Sequence, residues 1–93
     1  MNRIIKDDKK PGYRRVVVET PAGVAEFTAA AAVTAASLLT CEDVYDVFAY
    51  FWDRESGQEV NIDSLAGRGL SREAVKERWE KFQRFYNIEG GGR

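Results

Sequence analysis

Chemistry in this 93-residue chain has to be sought first among nucleophiles, bases and metal ligands, and two of those types are almost missing: there is one cysteine, Cys41, and no histidine. Without histidine, neither a Ser-His-acid nor a Cys-His arrangement can be assembled, and a zinc site of the usual Cys/His composition is excluded as well. Cys41 falls in the predicted first turn of a helix, where a thiol pKa drops, but Glu42 and Asp43 beside it oppose ionisation. It reads as an inert thiol. Glu42, Asp43 and Asp46 are close enough on that predicted helix to invite a divalent cation, yet acids in a first turn are the ordinary complement of the helix dipole. Gly67-Arg68-Gly69 precedes a helix, the right place for an anion, but the P-loop lysine and the buried strand before it are missing. The expectation is a non-enzymatic protein with no catalytic residues, no metal and no cofactor.

What remains is binding, and charge is the first guide. The net charge of −1 hides a segregation: residues 1–15 carry six basic and two acidic groups, residues 16–67 one basic and nine acidic, and residues 68–93 seven basic and four acidic. Basic ends around an acidic middle suggest two surfaces of opposite sign. A single cysteine rules out an internal disulfide and fits a reducing compartment. No apolar run approaches the ~20 residues of a membrane span, and the start of the chain lacks the apolar segment of a signal peptide. A cytoplasmic protein with no membrane and no small-molecule substrate is expected.

The elements that must position these charges follow from local pattern. Residues 13–20 and 24–28 are β-branched or aromatic runs on either side of Pro21-Ala22-Gly23, which predicts a hairpin, with Gly23 available for a positive φ. Lys9-Lys10-Pro11-Gly12 reads as a further turn, so Arg3 to Lys6 can add an edge strand. Ala29 to Leu39 is rich in the best helix former, with Thr28 as cap, and predicts a helix over 29–39. Thr40 caps a second helix running to about Asp53, in which Val44, Val47, Phe48, Phe51 and Trp52 recur at the spacing of one buried face. Glu59 to Ile62 can be extended. Asn61 or Asp63 then starts a brief helix through Leu65 and Ala66, ended by Gly67 or Gly69. Ser71 caps a last helix over 72–86 with Val75, Trp79, Phe82 and Phe85 or Tyr86 on its apolar face.

The expected fold is therefore α+β: an N-terminal hairpin, extended at most to a three-stranded meander, then about four helices. Residues 1–93 make one domain, since a chain of this size supports one core, with 1–12 and 88–93 as flexible ends.

Residues 60–79 resemble the helix-turn-helix of winged-helix DNA-binding domains. Leu65-Ala66 matches the pair that packs the first short helix, Gly69 the turn, Ser71 the cap of the recognition helix and Val75 its anchor. The resemblance implies that the last two helices form a helix-turn-helix. It places Ser71, Arg72 and Lys76 against phosphates or base edges with Arg68 nearby, and leaves the N-terminal hairpin as the only substitute for the wing, with Arg14 and Arg15 as a second phosphate contact. A small DNA-binding regulator of transcription is the first functional expectation. The alternative is a protein-binding inhibitor or adaptor, of the kind small phage proteins often are, whose acidic residues Glu42, Asp43, Asp46 and Asp53 block a basic, nucleic-acid-handling partner. Expected partners are thus duplex DNA or a basic protein, and a homodimer is compatible with either.

Overall fold

The computed structural model describes residues 2–32 and 43–86. In chain order these form β1 (Arg3–Lys10), β2 (Tyr13–Glu19), β3 (Gly23–Ala32), β4 (Val44–Asp53), β5 (Glu59–Asn61), β6 (Gly67–Leu70) and α1 (Arg72–Phe85). All strand pairings are antiparallel: β1 to β4 lie in sequential order, and β5 and β6 share the outer edge of β4. The hairpin read at residues 13–28 is β2 and β3. Its turn is closed by reciprocal backbone hydrogen bonds between Thr20 and Gly23, and the Thr20 hydroxyl adds a further bond at each end of Gly23. At the neighbouring turn Gly12 has φ 73° after Pro11, a conformation glycine adopts without strain.

Antiparallel register gives the sheet two distinct faces. Val16↔Phe27↔Ala49 and Val18↔Ala25↔Phe51 stand in rows on one face, and α1 lies across it. Phe27 is the centre of that layer, with ring centroids 5.4 Å from Trp79 and 5.3 Å from Phe82, while Phe82 meets Tyr86 at 5.0 Å. Ala25, Ala29 and Ala49 are buried around Phe27. Their small side chains leave depth for the helix rings, so large and small residues interdigitate. Leu65, fully buried, fills the layer from a turn outside the strands.

The segment from Glu59 to Leu70 runs antiparallel along β4 as one interrupted strand. Its first part pairs with Tyr50–Trp52, Ile62 donates to the Ala49 carbonyl at 2.8 Å, and after the turn carrying Leu65 it resumes opposite Tyr45 and Val47. Ser71 then accepts a hydrogen bond from the Ala74 amide at 3.2 Å and starts α1 at the expected position. Between Ile4 and Lys6 the β1 register slips by one residue, leaving Ile5 in a bulge.

Much of the expected helix is strand instead. About four helices were expected, whereas the described residues hold six strands and one helix. Ala29–Ala32 finish β3, where pairing with β4 throughout, and with β2 as far as Ala30, outweighs alanine's helix propensity; residues 33–42, including the rest of that predicted helix, Cys41 and Glu42, lie outside the described residues, as do 87–93. Val44–Asp53 is β4. In this run almost every residue is apolar, so a helical face can be picked out of it, but both neighbours are strands and alternate side chains go to opposite faces. The brief helix at 61–66 is the turn between β5 and β6. The described residues 43–71 that lead into α1 hold strands and turns and no helix, so α1 is not the second helix of a helix-turn-helix, and the winged-helix resemblance is overturned. Among the described residues no helix is long and apolar enough to cross a membrane.

Candidate functional site

Because α1 covers one face of the sheet, the residues on the other face have no layer above them among the described elements. That open face is fixed by register. Across β1 to β5 it reads, row by row, Lys10, Tyr13, Ala30 and Asp46; then Asp8, Arg15, Thr28 and Phe48; then Lys6, Val17, Glu26, Tyr50 and Asn61; and last Arg3, Glu19, Val24, Trp52 and Glu59. Phe48, Tyr50 and Trp52 therefore form an aromatic ladder along β4, successive rings leaving the backbone about 6.7 Å apart. Phe48 is 36% and Trp52 41% exposed, high values for rings of this size in a small domain. Val17 and Val24 continue the apolar strip across the sheet.

Charges border this strip and are largely paired within the face. Arg15 and Glu26 form a part-buried ion pair at its middle, Lys6 reaches Asp8 at 3.6 Å and Arg3 reaches Glu19 at 3.1 Å. The Asp46 carboxylate accepts a hydrogen bond from the Gly69 amide at 3.0 Å, holding β6 to β4. Lys10 and Glu59 meet no ion-pair partner among the described residues.

A second concave region lies at the far end of α1. An apolar groove of about 560 Å³ is lined by Pro21, Ala22, Phe51, Val60, Phe85 and Tyr86, among others. Tyr86 is buried and burial pushes its phenol pKa above the ordinary value, while Phe85 beside it is 69% exposed. The Asn2 side-chain amide donates to the Tyr86 carbonyl at the helix end.

The residues singled out in the sequence are dispersed by the fold. Arg14 and Arg15 are adjacent in the chain but point to opposite faces. Arg14 lies on the helix side, paired with Asp7 at 3.0 Å and stacked 4.4 Å over the Trp79 ring; Arg15 is on the open face. Ser71 is used as the cap of α1. Arg68, Arg72 and Lys76 are exposed around that helix start. Arg72 lies 3.5 Å from Asp43, and its guanidinium is held in the charged form chiefly by the Tyr45 oxygen and then by Asp43. Of the acidic set, Asp43 precedes β4, Asp46 is on the open face, and Asp53 ends the strand. The Ser56 hydroxyl donates to the Asp53 carboxylate at 2.8 Å, and this bond, with backbone donors of the turn, lowers its pKa. Asp46 and Asp53 are separated by seven residues of strand, about 23 Å, and face opposite ways, so they do not form one acidic patch. Among the described residues no three His, Cys, Asp or Glu side chains converge as a metal site would need.

The helical reading of this run places Phe48 and Trp52 on one buried face together with Val47 and Phe51, which conceals the ladder. The available signal was the alternation itself: Phe48, Tyr50 and Trp52 stand two apart in a β-branched and aromatic run. No family model, curated protein or solved structure matches the chain.

Proposed function

We propose that the chain is a non-enzymatic protein-binding module of the adaptor or inhibitor type, and that it engages protein through the open face of its sheet. One observation carries this reading: an aromatic ladder stands exposed on one face of a sheet whose other face is already covered by α1. Exposed aromatic rows bordered by charge have the anatomy of protein contacts, in which large rings near the centre carry most of the affinity and a polar rim excludes water. A ladder of rings on a sheet can also stack the bases of single-stranded nucleic acid. Charge favours the first. Nucleic-acid binding draws its affinity from a positive groove along the phosphates, whereas this face carries Arg3, Lys6, Lys10 and Arg15 against Asp8, Glu19, Glu26, Asp46 and Glu59. Even with Arg54 reaching Glu19 from the adjoining turn and Arg68 beside Asp46, the two signs stay interleaved among the described residues and form no continuous positive groove. A reducing cytoplasm fits the single cysteine.

The test is retention of protein by the tagged full chain from nuclease-treated lysate of cells that also express the untagged chain. Phe48→Ser combined with Trp52→Ser should abolish what the parent retains, whether that is another protein or the untagged copy, while Phe85→Ser in the groove should leave it unchanged. Retention that survives the ladder substitutions, or that disappears with nuclease alone, would refute the proposal.

A further inference from the structure

Building on the open face as a protein contact, we propose that its occupant is a second copy of this chain, stacked sheet to sheet about a two-fold axis parallel to the strands. The charge layout on the face motivates the choice. Its β1 edge carries Arg3, Lys6 and Lys10 against a single acid, Asp8, and its outer β4–β5 edge carries Asp46 and Glu59, with Arg68 of β6 in the stretch opposite Asp46 as the one base along that edge among the described residues. A surface with a basic and an acidic border can complement itself, provided that the symmetry brings one border onto the other.

Only one of the two axes lying in the contact plane does this. An axis across the strands lays β1 on the partner's β1 and inverts the rows, so Lys10 meets the Arg3 row and Asp46 meets the Trp52 row, setting like charges together at one edge. An axis parallel to the strands lays β1 over β4 and β5 of the other copy and keeps each row opposite itself. Lys10 then faces Asp46, Arg3 faces Glu59, and Lys6 comes over the Tyr50 ring, each contact occurring twice. The aromatic ladder lands on β1 and β2, where Val17 and the methylene stems of Lys6 and Arg15 offer apolar surface. The Arg15–Glu26 pair enters the interface already joined and half-buried, so its further desolvation is partial.

The dimensions are adequate. Five strands about 4.8 Å apart and four rows about 6.7 Å apart give a face of roughly 20 × 20 Å between outermost backbone positions, enough for two copies to bury on the order of 1,200 Å², the lower end of specific interfaces. Stacked sheets cross at about 30°, which displaces the corner residues of such a face by about 7 Å, within the combined swing of two facing long side chains. A reversible dimer with a Kd of order 10 µM is expected from a contact of that size and polarity.

Sedimentation equilibrium of the full chain from about 1 to 500 µM, with circular dichroism to confirm folding, tests this directly around the expected Kd. Phe48→Ser should leave a folded monomer. Glu59→Lys, which sets a base against Arg3 of the other copy, should raise Kd about tenfold, and Arg3→Glu in the same chain as Glu59→Lys should return it to within about threefold of the parent. A parent that stays monomeric throughout overturns the second copy, and leaves the open face as a protein contact if Phe48→Ser with Trp52→Ser still abolishes retention from lysate. A dimer indifferent to Phe48→Ser uses another surface and also overturns the proposal. Failure of the Arg3/Glu59 exchange to restore association overturns the strand-parallel axis.

Discussion

Gly23 is the residue at which the geometry of the molecule is least forgiving. A Cβ built there would stand 1.9 Å from the Trp52 carbonyl oxygen, a backbone atom in the middle of the sheet. Gly23→Ala is therefore expected to cost about 1–3 kcal/mol through forced strand separation, read as a lower midpoint in urea. From the sequence this glycine reads as a turn residue available for a positive φ. Its actual constraint comes from β4, about thirty positions away, and no local pattern carries that information. Arg14 and Arg15 teach the same point: adjacency in the chain suggested one basic contact, and a strand sends the two to opposite faces. Tyr86 makes a prediction in pH. Burial raises its folded pKa above 10.0, so the neutral phenol is favoured by folding. The associated stability is complete below pH 10 and is lost as pH rises through the folded value. Denaturant midpoints of the parent should fall relative to Tyr86→Phe as pH rises above about 10 and run parallel to it below; curves that stay parallel throughout would remove Tyr86 as a source of that dependence.

At the level of elements, α1 was legible and β4 was not. The helix announces itself locally, with Ser71 as cap, Glu73 in the first turn, Arg84 in the last, and Val75, Trp79, Phe82 and Tyr86 at helical spacing. Ser71→Ala should cost about 1 kcal/mol, the usual value of a side-chain cap, as a fall in Tm with the helical circular dichroism of the folded state retained. The β4 run Val-Tyr-Asp-Val-Phe-Ala-Tyr-Phe-Trp-Asp is apolar on both faces, one turned to α1 and one to the open side. A run of that kind supports either period, and what fixes it as a strand is the pairing with β3 over ten positions. Because the misreading turned two strand-face residues into helix core, it hid the candidate site along with the strand. The hairpin was recoverable for the opposite reason, since both of its arms and its turn lie within one short stretch.

At the scale of the whole, the described residues form two layers, sheet and helix, joined by an aromatic cluster. Phe27, Phe82, Trp79 and Tyr86 meet at that junction, and Phe82 is fully buried. Phe82→Ala should cost about 3–5 kcal/mol, a large share of the ~5–15 kcal/mol available to a domain of ordinary stability, so most of the chain should be unfolded well below the parent's Tm.

The two margins of the sheet bear on how the protein behaves when crowded. An unpaired strand margin is a template on which other chains add by backbone hydrogen bonding, and runaway addition of this kind ends in fibrils. Here the β1 margin is lined with Arg3, Lys6, Asp7, Asp8, Lys9 and Lys10 and kinked by the bulge at Ile5, while the far margin is broken by the turn that sends Leu65 inward. Neither offers a long flat row of free donors and acceptors. Among the described residues both sides thus oppose lateral growth, which leaves the face-to-face contact proposed above as the association that closes on itself as a pair instead of propagating.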